Sequence, residues 1–124
     1  MPKKNSRTKG AVGERELAAV LTEIFGVACR RGQQFKGGQD SPDVAGLPGI
    51  HVESKRTERL SLYNAVDQAV GDAGSNVPVV MHRCNRREWV AIVRLEDLTR
   101  LAKAICDLLP ETGTSEYNGE VSVT

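Results

Sequence analysis

At 124 residues, 40% hydrophobic and 27% charged, the chain has the size and composition of one compact domain, which excludes wholesale disorder. No stretch approaches the ~20 apolar residues a membrane span needs, and the start, MPKKNSRTKG, is basic and polar with no apolar segment behind it, so neither insertion nor secretion is expected. The net charge of +1 hides an asymmetry: with 17 basic residues against 12 acidic ones, residues 1–103 carry a net +5, and an acidic tail follows, so polyanion binding is plausible.

Residues 1–9, with Lys3, Lys4, Arg7 and Lys9, lack hydrophobic periodicity and read as a flexible basic arm. A first helix is predicted over 11–25, where Leu17, Ala18, Leu21, Ile24 and Phe25 recur at helical spacing and Gly26 supplies a cap. Residues 27–31 read as a short strand, 32–42 as a Gly-rich polar loop, and 43–45 as a second strand. Gly46-Leu47-Pro48-Gly49 is a tight-turn signal, after which 50–55 forms a third strand. A second helix is predicted over 61–73, burying Tyr63, Val66, Ala69, Val70 and Ala73 and ending at Gly74. Residues 77–81 suit a buried strand, 83–86 a turn, and 89–93 a further strand. The last helix is predicted over 95–109, and residues 110–124 as an acidic, disordered tail. The order α-β-β-β-α-β-β-α implies an α/β fold, a single domain over 10–109 with a mixed sheet flanked by helices. Cys29, Cys84 and Cys106, widely spaced and odd in number, fit no disulfide framework and point to reduced thiols in a cytoplasm.

The chemistry concentrates in Pro42-Asp43 and Glu53-Ser54-Lys55. Glu53 and Lys55, two apart on a strand, share one sheet face, and the turn at 46–49 can fold Asp43 back beside them. Converging carboxylates raise one another's pKa unless a cation intervenes, and hard oxygen ligands suit Mg²⁺. Metal-assisted attack on a phosphodiester is the natural use of such a cluster, with the Lys55 ammonium orienting water or stabilising charge. On the first helix Glu14 shares the arc of Leu17, Ala18, Leu21 and Phe25, whereas Glu16 and Glu23 point away from it. A carboxylate on a face bound for the sheet needs a partner, although a first-turn Glu also satisfies the helix dipole.

Lys9-Gly10, Gly13-Glu14-Arg15-Glu16-Leu17, Arg30, Pro42-Asp43 and Glu53-Ser54-Lys55, followed by the VPVV and REWVAIV strands, together resemble the PD-(D/E)xK nuclease superfamily. Within it they look like the archaeal-type Holliday junction resolvases, over roughly residues 9–94. The resemblance implies a restriction-endonuclease-like fold and a Mg²⁺-dependent endonuclease, with Mn²⁺ as substitute. Asp43, Glu53 and the Ser54 backbone carbonyl would be metal ligands, Lys55 the catalytic lysine, and Glu14 the completion of the acidic cluster. Lys9, Arg15, Arg30, Arg31, Lys36 and Arg56 would meet DNA phosphates. The implied substrate is branched double-stranded DNA, cut by a homodimer at symmetry-related strands to leave 5′-phosphates. Ser54 stands where a larger apolar residue is usual, and the loop at 32–41 and the acidic tail are unlike the family. So compact a version would suit a bacteriophage or prophage gene.

Other residues read more plainly. Asp40 competes with Asp43 but sits in the loop. His51 faces the side of Glu53 and reads as structural. His82 with Cys84 lacks the ligand count for zinc. Gln68 lies on the helix after Lys55, where relatives often place a polar residue near the site, and Tyr63 reads as core. Trp89 is expected in the core or a dimer interface. Two alternatives stay open: another nuclease of the superfamily, restriction-like or nicking, and a non-catalytic nucleic-acid-binding protein. The second is disfavoured because Glu14, Asp43 and Glu53 would repel phosphate.

Overall fold

Helix α1 spans Ser6–Phe25, so residues 6–9, expected in the arm, are helical. Apolar periodicity marks only the buried part of a helix, and residues 6–10 hold no proline to stop it running further back. The computed structural model describes residues 6–32 and 42–109, with side chains from residue 10. Residues 1–5, the loop at 33–41 and the acidic tail at 110–124 lie outside the described residues.

Five strands follow in one mixed sheet ordered β1-β2-β3-β4-β5: β1 (Arg30–Arg31), β2 (Val44–Ala45), β3 (Ile50–Arg56), β4 (Val77–Arg83) and β5 (Val90–Ile92). The first three pair antiparallel, β3 runs parallel to β4, and β5 returns antiparallel. Helix α2 (Leu62–Ala73) makes the crossover between the two parallel strands. A single 3-10 turn, Leu95–Asp97, leads into α3 (Leu98–Leu108). The element order and α/β class match the sequence expectation; the ends differ. Strand β4 runs through Arg83, into the segment expected to turn, because Arg56 pairs with Arg83 and prolongs the parallel ladder.

Alternation along β3 sorts its residues between two layers. Val52, wholly buried, and Ile50 join Val79 and Val77 of β4, Val44 of β2 and Leu17, Ala18 and Leu21 of α1 in the main core. Leu101, Ala104, Ile105 and Leu108 of α3 pack against the same core, while Leu98 and Leu109 are exposed. On the other face Ala65 and Ala69 of α2 pack on Val80. Tyr63 is 79% exposed and not core. The helix rests on Ala65, Ala69 and Ala73, spaced four apart, and Tyr63 sits two residues from Ala65, about 200° around the helix. Ahead of α3 the buried Asp97 carboxylate accepts from Arg94 Nε at 2.8 Å and Arg100 Nη1 at 2.9 Å. Among the described residues no helix is long and apolar enough to cross a membrane.

Candidate active site

The site forms on β3 where β2 runs out. Asp43 N–H donates to the Val52 carbonyl at 2.8 Å, so by the two-residue period of a strand the Ser54 N–H and C=O face the same edge. There the Asp43 carboxylate takes the place of a neighbouring strand: its Oδ2 accepts the Ser54 N–H at 2.8 Å. Gly32 permits this, because a side chain at 32 would put its Cβ 2.0 Å from the Pro42 carbonyl oxygen. Gly32 N–H donates to the Asp43 carbonyl at 2.8 Å.

Two carboxylates act on each other here, Asp43 and the buried Glu53, and Glu14 is near enough for its charge to be felt at Asp43. Burial, the charge of Glu53 and, more weakly, that of Glu14 push the Asp43 carboxyl up to about 7, against the Ser54 amide, which favours the charged form. Glu14 arrives from α1, whose approach depends on Gly13: a Cβ there would lie 2.7 Å from Arg56 Cβ. Glu14 Oε1 accepts from Arg31 Nε at 2.7 Å.

On the α2 side of the sheet, Lys55 Nζ donates to Gln68 Oε1 at 2.9 Å. One helical turn further, Asp72 reaches the pair formed by His51 and Glu53, whose Nε2 and Oε1 are 3.0 Å apart. Ligand-type atoms of His51, Glu53 and Asp72 lie within 4.8 Å of one another. Sequence reasoning placed His51 on this side but assigned it no partner, and it missed Asp72. The signal was present as a match of periods: residues 55, 53 and 51 step along β3 as 68 and 72 step along α2.

The structure thus brings Glu14, Asp43, Glu53, Ser54, Lys55 and Gln68 together. It uses some expected phosphate contacts differently. Arg31 is engaged by Glu14, and Arg56 lies 3.5 Å from Glu16 and donates to Asn85 Oδ1. Arg15 and Arg30 are exposed; Lys36, Asp40 and the side chain of Lys9 lie outside the described residues. Glu16, expected to point away, is drawn to the sheet end by Arg83 at 2.9 Å as well as by Arg56. Trp89 packs against the main core, its buried Nε1–H without a partner among the described residues.

Among solved structures the chain is similar to the Holliday junction resolvase Hjc of Archaeoglobus fulgidus, an archaeal hyperthermophile, at 24% identity and a TM-score of 0.48, over 68% of this chain and 72% of that one. No family model and no curated protein matches the chain.

Proposed function

We propose that the protein is a Mg²⁺-dependent endonuclease of the PD-(D/E)xK type that resolves four-way DNA junctions. The observation that carries the metal-dependent reading is the Asp43 carboxyl, pushed to about 7 at a strand edge by burial, by the charge of Glu53 and more weakly by that of Glu14. Asp43 and Glu53, hard oxygen donors with no Lys or Arg ion pair among the described residues, fit Mg²⁺, with Mn²⁺ as substitute, whereas Glu14 is already paired with Arg31. Asp43, Glu53 and the Ser54 carbonyl would hold the ion, and Glu14 would complete the acidic cluster. Bound there, it would neutralise the scissile phosphate and acidify a water molecule.

The chain's own groups do the rest. Gln68 fixes the Lys55 ammonium on the face that carries Glu53, where it orients the attacking water or stabilises charge on the phosphate. Arg31 fixes the Glu14 carboxylate. Arg15 and Arg30, exposed on α1 and β1, together with Lys9, Lys36 and the basic residues before Lys9, would meet phosphates. Preference for a junction rests on the motif resemblance, and paired incision calls for a homodimer, since the described residues of each chain hold one such cluster. The restriction-endonuclease-like fold and the single domain over 10–109 belong to the same proposal.

Labelled immobile junctions and linear duplexes of the same arm sequences test it. Symmetric cleavage of the junction in Mg²⁺, none in EDTA, and slow or absent cleavage of the duplex are expected. Equal cleavage of both substrates would leave a nuclease of another branch, and binding without cleavage would contradict the enzyme reading.

A further inference from the structure

We propose that His51 is a positioning residue: its Nε2–H holds Oε1 of Glu53, leaving the other carboxylate oxygen for the metal, an inference that rests on the metal-dependent reading above. Both side chains are buried, the ring 2% exposed, and the two atoms are 3.0 Å apart. An ionised carboxylate only accepts, so the ring nitrogen facing it donates. A nitrogen that donates its hydrogen has no lone pair for an ion, so through Nε2 His51 is a partner of the ligand Glu53 and not itself a ligand.

Glu53 needs such an anchor because it has like charges beside it. Its charge acts on Asp43, and the Asp72 carboxylate has Glu53 and His51 within 4.8 Å of it. Repulsion from both would turn an unrestrained carboxylate away from the geometry a cation requires. The ring cannot follow such a turn, because it is enclosed between β3 and α2 and shares one strand face with Glu53. Strand period therefore builds the device: residues 51, 53 and 55 present anchor, ligand and lysine in a row.

The test measures Mn²⁺ binding to the full, DNA-free chain by calorimetry and pulsed electron paramagnetic resonance, for the wild type, His51→Gln and His51→Leu, with thermal unfolding recorded for each. Gln keeps a donor at comparable reach and Leu keeps volume without one. Removing an outer-shell partner weakens metal binding by about 10–100-fold, so His51→Leu should show that loss and His51→Gln should stay within about threefold of the wild type. If His51→Leu does not fold, His51→Asn replaces it, its amide too short to reach Glu53. Wild-type affinity in a folded Leu or Asn variant, no rescue by Gln, or nitrogen coupling from His51 to bound Mn²⁺ would overturn the proposal. A wild type that binds no Mn²⁺ would remove the metal-dependent reading and this inference together. Mn²⁺ binding with the expected His51 pattern but no DNA cleavage would remove the nuclease reading alone.

Discussion

Arg31 and Glu14, seventeen residues apart in the chain, meet through a 2.7 Å hydrogen bond that ties β1 to α1 and aims the helix carboxylate toward Asp43. Glu16, on the same helix, is tied instead to Arg83 and Arg56. Single-turnover cleavage should separate them: Glu14→Gln loses about 10²-fold or more, the scale of a removed catalytic group. Glu16→Gln keeps near-normal cleavage and costs no more than about 1 kcal/mol of stability, because its ion pairs are partly solvated. Equal effects on cleavage would remove Glu14 from the site.

Glycine to alanine within a helix normally stabilises by about 1 kcal/mol. At Gly13 the sign should reverse, because the added Cβ would sit 2.7 Å from Arg56 Cβ and overpacking costs about 1–3 kcal/mol. Gly13→Ala is therefore expected to lower the urea midpoint and, by moving α1 off the strand end, to slow cleavage. An unchanged or raised midpoint would show that the contact yields freely.

What the sequence revealed and concealed has a physical pattern. The order of elements follows from periodicity, and Asp43, Glu53 and Lys55 were legible because strand period and a tight turn fix relative placement without long-range information. Glu14 was legible from its arc on the helix. The partners of the charged residues were not: that Arg31 binds Glu14 and Arg56 approaches Glu16 depends on how closely α1 lies on the sheet, which Gly13 sets from a distance in sequence. Asp72 was hidden because an acid on an amphipathic helix looks like solvent-facing surface. Tyr63 misled because the buried stripe of its helix runs through Ala65, Ala69 and Ala73, on an arc that excludes Tyr63.

Asp43 makes the metal-free protein sensitive to pH. The folded carboxyl, pushed to about 7 from an ordinary 3.8 by burial and its acidic neighbours, holds a proton between those values that the unfolded chain has released. Stability should fall as pH rises across that window and level off above it, a loss of about 2–4 kcal/mol. Asp97 does not blur this: Arg94 holds its carboxyl below the ordinary value, so its contribution is complete above 3.8. Urea unfolding in EDTA at pH 5 and pH 8 should show the drop. Asp43→Asn should abolish it and be more stable than the wild type at pH 8, whereas Mg²⁺ should restore the wild type there. No dependence on pH in EDTA would contradict the crowding of charge at Asp43.

The homodimer proposed for paired incision has a candidate face. Ile24 and Val90, 63% and 45% exposed, line an apolar groove together with Val20, Phe25, Met81 and Trp89. The last helix contributes little to such a face, since Leu101 and Ile105 pack inward. Val90→Asp and Ile24→Asp should each shift the sedimentation of a dimer to that of a monomer without unfolding it, because both side chains are already partly solvated. A wild type that sediments as a monomer at micromolar concentration, with full resolving activity there, would contradict the dimer.

The most direct measurement of the central claim follows Glu53→Gln on a labelled four-way junction in Mg²⁺, scoring binding and cleavage in the same reaction mixtures. The substitution removes one charge from the carboxylate cluster and leaves the basic surface intact, so junction affinity should equal or exceed that of the wild type while cleavage falls to the level the wild type shows in EDTA. Cleavage by Glu53→Gln at a rate near that of the wild type would contradict the assignment of this cluster as a metal-dependent nuclease site.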